Sequence, residues 1–197
     1  MEKINTPTGL VNIAFHGEQI SSPGTAANAI TVGSYDWTDQ FDGEAKTSCD
    51  APINIGALSC YSNPGYSRAP FTTIGAAVVK PEITAPGQVF TAAYARLTDG
   101  RALNDVLPKS GGKPYWQVDR SGRYVLFDGT SASAPYVAGI VALMMQKNPN
   151  STAGEIKNIL RRHASFDLET TGLVPNPWWG YGKLDIKAVR AALNDVK

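Results

Sequence analysis

The sequence predicts an α/β layered fold with a mostly parallel sheet. Strand-like runs are interleaved with helical ones, a serine stands at the mouth of a long apolar helix, and there is no internal repeat. Interleaving of this kind favours parallel pairing, because each crossover helix returns the chain to the starting side of the sheet.

Strands are expected at Leu10–Phe15, Ala29–Tyr35, Ala57–Tyr61 and Val89–Ala95. The polar, Gly-rich stretch from Thr98 to Lys113 reads as a surface loop. Tyr115–Val118 and Arg123–Phe127, joined by Asp119-Arg120-Ser121-Gly122, read as a β-hairpin that leads directly to the serine helix. That helix is expected to end near Lys147. Its Val137, Ile140, Val141, Leu143 and Met144 form a stripe broad enough to mark a buried helix. Pro135 is expected in its first turn, where a lost backbone donor costs least, and Gly139 where the helix packs closely on a neighbour. Thr152 and Glu155 form a capping box for a helix running to His163. Asp185 starts a last helix through Val196, with Ile186, Val189 and Leu193 facing inward.

Composition narrows the function classes. The 197 residues suffice for one domain with a core, and 43% hydrophobic content argues against overall disorder. Eighteen basic residues against seventeen acidic leave no basic field for nucleic acid. No apolar run reaches membrane-spanning length, and the N-terminus shows no signal-peptide core. Cys49 and Cys60 allow either a disulfide or two free thiols. Two histidines and two cysteines at these spacings fit no metal-ligand pattern.

The chemistry concentrates in Gly129-Thr130-Ser131-Ala132-Ser133-Ala134-Pro135, followed by Tyr136-Val137-Ala138-Gly139. Gly129 and Ala132 leave room beside Ser131. The free N–H groups and dipole of a helix start suit the negative oxygen of a tetrahedral intermediate. The plainer reading makes Ser131 only an N-cap.

This run resembles the serine signature of the subtilisin-like proteases, the subtilases. So do four further blocks in family order: Ser22–Gly33, Ser59–Gly65, Lys80–Gly87 (Glu82 replacing the usual aspartate) and Trp179–Asp185. The resemblance implies a subtilisin-like layered fold and a serine endopeptidase with Ser131 as nucleophile. Ser21, Ser22, Pro23 and Gly24 would form the floor of the primary specificity pocket, with Gly129 and Thr130 also contacting a polypeptide substrate. The Ser22–Pro23 bond corresponds to one that is often cis. No cofactor is implied as required. Structural calcium is left open, and the family suggests an extracellular or cell-envelope location.

The family's Asp-Thr/Ser-Gly and His-Gly-Thr-His-Val-Ala-Gly motifs, and its Gly-Asn oxyanion element, do not occur here. They belong before the serine, in the order aspartate, histidine, serine. The chain is therefore expected to be the C-terminal half of a catalytic domain, with residues 21–197 family-like and 1–20 an N-terminal strand segment. Its partner would be the half carrying the Asp, His and oxyanion Asn, and alone it should be inactive. His16, followed by Gly17-Glu18-Gln19, departs from the base motif, and His163 reads as a helix-end cation. An exposed sheet edge, with Ile13, Ile30, Val32 and Val137 losing cover, would favour a homo-oligomer. The alternatives are a non-catalytic remnant of the fold, or an α/β-hydrolase. The hydrolase elbow Gly-x-Ser-x-Gly is spoiled by Ser133.

Overall fold

A computed structural model describes residues 20, 22–26, 28–38, 53–66, 79–88, 90–93, 117–118 and 123–197. Strands β1 (Val32–Asp36) and β4 (Ile83–Gln88) pair in parallel, from Val32 opposite Ile83 to Asp36 opposite Gln88. Every residue of β4 is buried, polar ones included, as befits a parallel strand covered on both faces. Its other side receives the segment after Trp179. Thr84 N donates to Gly182 O at 2.8 Å, and Leu184 N donates to Thr84 O at 2.7 Å. Strands β2 (Gly65–Tyr66) and β3 (Val79–Lys80) form a short antiparallel pair. Strands β5 (Phe90–Ala93), β6 (Gln117–Val118) and β7 (Tyr124–Phe127) form an antiparallel sheet in the order β5-β7-β6.

Three helices follow: α1 (Thr130–Lys147), α2 (Ala153–His163) and α3 (Ile186–Asp195). Val137, Ile140 and Met144 of α1 pack on Ile83 and Ala85 of β4. Ile156 and Leu160 of α2, with Ala188, Val189 and Ala192 of α3, complete one core with Leu184. The capping box of α2 is present in both directions, and Asp185 caps α3 by accepting from Ala188 N at 2.8 Å.

Several expectations change. Leu143 of the apolar stripe is 50% exposed and Ile186 is 62% exposed, because α1 and α3 each bury a narrower face than the sequence suggested. Pro135 lies in the second turn of α1, so the acceptor deprived of its helical donor is the carbonyl of Ser131. Gly139 is exposed, and a Cβ there would meet nothing within 4 Å among the described residues, so no close helix contact requires it. Ala57–Tyr61 is no strand: Leu58 makes an isolated bridge to Tyr35, and the chain turns at Cys60 and Tyr61. Strand β4 was not anticipated, and it carries Pro86 and Gly87, residues that strand interiors disfavour. Pro86 is accommodated opposite Tyr35, where the β1–β4 register shifts. Val137 is buried, and Ile30 and Val32 pack against the core, so these positions keep their cover. The expected strand Leu10–Phe15, the loop 98–113, His16, Ser21, Ile13 and Cys49 lie outside the described residues. Cys60 is disulfide-bonded.

Candidate active site

Ser131 is exposed in the first turn of the 18-residue helix α1. The N-cap is Gly129, which makes no side-chain cap, so the plain capping reading of Ser131 does not hold. Gly129 has φ 120°, ψ 165°, a backbone region open in practice only to glycine. Its carbonyl accepts from Ala132 N at 2.9 Å and Ser133 N at 3.4 Å. Helix geometry leaves the Thr130 and Ser131 amides without acceptors in the helix. The serine hydroxyl and these amides thus leave the same turn.

That turn is fastened from beneath. Gly129 N donates to Gly87 O at 3.1 Å, and Tyr61 donates its hydroxyl to the same carbonyl at 3.0 Å. Ser133, fully buried, donates its hydroxyl to Ala85 O at 3.2 Å. A Cβ on Gly87 would overlap Ser34 Oγ and Ser133 Oγ and stand 3.0 Å from Gly129 O, so strand and helix meet here at backbone distance. Further in, Ser34 Oγ and Ser59 Oγ share a 2.9 Å bond, and Ser59 donates to Asp36 Oδ1 at 2.7 Å. Burial raises the pKa of Asp36, against the lowering effect of the Ser59 and Asn54 hydrogen bonds. Burial likewise raises the Tyr61 hydroxyl. Sequence reasoning missed this polar layer. Ser59 and Ser133 lie in family-like blocks, but the convergence on Asp36 depends on the 54–59 segment running beside β1, with Ser59 N on Ser34 O and Asp36 N on Ala57 O.

Beside Ser131 opens a cleft of about 480 Å3. Ser22, Pro23 and Gly24 line one part of it and Thr130, Ser131 and Ala134 another, with Thr31–Gly33 and Tyr61–Asn63 between. The structure therefore brings together Ser22, Pro23, Gly24, Thr130 and Ser131. Gly129 shapes the turn without lining the cleft, and Ser21 lies outside the described residues. The Ser22–Pro23 bond is cis. None of the described lining residues is charged.

His163 is not brought to Ser131. It ends α2 as expected, and its Nε2 lies 3.0 Å from Asp195 Oδ2, an oxygen that Arg162 also reaches at 2.8 Å. Among the described residues no group of three His, Cys, Asp or Glu side chains could hold a metal ion, and no helix is long and apolar enough to cross a membrane.

An α/β core thus presents an exposed serine at a helix start, beside a cleft whose described lining carries no charge. Comparison with known proteins sharpens this. The sequence matches the model of the Subtilase family over residues 12–184. Fervidolysin from Fervidobacterium pennivorans is 31% identical over 138 residues, 68% of this chain and 17% of its own length. Serine protease AprX from Bacillus subtilis is 31% identical over 148 residues, 73% of this chain and 26% of its own. The solved structure of the Clostridium perfringens CspB protease aligns with a TM-score of 0.50 at 22% identity, over 89% of this chain and 29% of that one. The chain belongs to the subtilase family, a serine peptidase family. It spans about a quarter or less of the length of these curated relatives.

Proposed function

We propose that this chain is the nucleophile-bearing part of a subtilisin-like serine endopeptidase, with Ser131 attacking the scissile carbonyl of a polypeptide. The observation that carries the reading is the exposed Ser131, at a glycine-capped helix start on the rim of the cleft. The Ser131 N–H would donate to the oxyanion while the cleft holds the side chain preceding the cut. An imidazole must take the Ser131 proton, and His163 is engaged with Asp195 instead. The histidine, its aspartate and the oxyanion asparagine are assigned to a segment beyond these 197 residues, the other half of the same catalytic domain. The disulfide at Cys60 and the family resemblance favour an extracellular or cell-envelope location.

A fluorophosphonate probe, which captures activated serines, tests this. The 197-residue chain alone should not label. Co-expressed with a segment carrying the aspartate and histidine motifs, it should label at Ser131, and Ser131→Ala should abolish both labelling and casein cleavage. Rapid labelling of the chain alone would mean that a local base exists, with His16 the first residue to replace. No labelling in either form would favour a non-catalytic member of the family.

A further inference from the structure

The cleft-wall residues Gly24 and Ala29–Thr31 precede β1 and are held by side chains as well as by the backbone. Thr31 donates its hydroxyl to Gly24 O at 2.6 Å and its amide to Glu82 Oε2 at 2.7 Å, while Glu82 N donates to Thr31 O at 2.8 Å. The other carboxylate oxygen of Glu82 gathers Lys80 Nζ at 2.6 Å, Lys157 Nζ at 2.7 Å and Arg161 at 3.5 Å. Both lysines also donate to Ala29 O, at 2.8 Å and 3.3 Å. Ala29 and Thr31 line the cleft, whereas Glu82, Lys80 and Lys157 do not.

Lys80 and Glu82 are 0% and 1% exposed. Burying such a pair costs desolvation that its attraction offsets only with good geometry and further hydrogen bonds, and an apolar pair of similar volume often serves stability as well. Of the further side-chain bonds here, Glu82 Oε2 to Thr31 N and Lys80 Nζ to Ala29 O run to the cleft wall, and Lys157, itself bonded to Glu82, reaches Ala29 O as well. We propose that Glu82, supported by Lys80 and Lys157, is a positioning residue that determines specificity: it clamps Ala29 and Thr31 and so sets which side chains the cleft accepts. This rests on reading the cleft as the substrate pocket.

The test uses the double variant Lys80→Met/Glu82→Leu, which removes the Glu82 bond to Thr31 and the Lys80 bond to Ala29 together, and Lys157→Met as a milder form. Hydrogen exchange on the 197-residue chain reads the wall. The catalytically complete protein is assayed with two peptide amides differing only by Phe or Ala before the cut, beside fluorophosphonate labelling of Ser131. Exchange at Asn28–Val32 should quicken about tenfold in the double variant with α1 unchanged. The ratio of kcat/KM between the two peptides should compress about tenfold through KM, with the labelling rate unchanged. Lys157→Met should move both in the same direction by less, and it decides the matter if the double variant does not fold. Parent-like exchange in a folded variant, or loosened exchange with an unchanged peptide ratio, overturns the clamp. Should the complete parent itself fail to label, the nucleophile reading falls, and wall exchange alone then decides whether Glu82 holds the wall.

Discussion

Two glycines of the serine helix region should respond to alanine in opposite directions. At Gly139 the added methyl meets nothing within 4 Å among the described residues, in the middle of an exposed helix face. Alanine there removes the excess backbone entropy of glycine and should stabilise by about 0.5–1 kcal/mol. At Gly87 the same methyl overlaps two buried hydroxyls, Ser34 Oγ and Ser133 Oγ, and presses on Gly129 O at 3.0 Å. Overpacking of that kind costs about 1–3 kcal/mol. Displacing the Ser133–Ala85 and Ser34–Ser59 bonds adds about 0.5–1.5 kcal/mol each, for about 2–6 kcal/mol in all. In a chain of this size each kcal/mol moves Tm by about 2–4 °C. Thermal unfolding followed by circular dichroism should show Gly139→Ala melting a few degrees above the parent, and Gly87→Ala well below it. A lower Tm for Gly139→Ala would mean that the helix face is covered after all. A parent-like Tm for Gly87→Ala would refute the close strand–helix contact beneath Ser131.

Two further predictions concern stability. Thr152→Ala removes the side-chain half of the capping box of α2, leaving the Thr152 amide free to donate to Glu155 Oε2, and should cost about 1 kcal/mol in urea unfolding, with Thr152→Ser close to the parent. Acid titration should separate two aspartates by sign. The Thr170 hydroxyl, with Lys183 adding to it, lowers Asp167 to about 2, so its contribution is complete above the ordinary value of 3.8 and lost as pH falls toward 2. Burial raises Asp36, so between 3.8 and its higher folded value the native state holds the extra proton and gains stability as pH falls. The stability difference between parent and Asp36→Asn should therefore widen in the parent's favour on descending through that window. The difference between parent and Asp167→Asn should shrink below pH 3.8. Slopes of the same sign would refute the assignment.

The local signals were legible in the sequence: the serine helix and its end at Lys147, the Thr152–Glu155 box, the Asp185 cap and the hairpin before Gly129 all stand where they were expected. These rest on neighbours within a few residues. What failed was decided at long range. Strand β4 carries Pro86 and Gly87, which argue against a strand locally, yet parallel pairing with β1 and burial on both faces overrode them. Pro135 was placed one turn too early because the helix starts at Thr130, and Gly139 faces no close neighbour among the described residues, which no local signal discloses. The cleft was anticipated through Ser22–Gly24. Its other members come from Ser62, Pro81 and Ala134, segments that no periodicity links.

The central strand also sets a timetable for the chain on the ribosome. Thr84 bonds to Gly182, 98 residues later, and the fully buried Leu184 and the core face of α3 come later still. At ordinary rates of synthesis β4 waits about 5–20 s for those partners. Over that interval Ile83 and Ala85 have β1 beside them but lack the neighbours that close the core from the far side. Contacts of such separation also slow the search once the chain is free. Until residues 182–192 emerge, those apolar side chains of β4 stand open to contact with other chains.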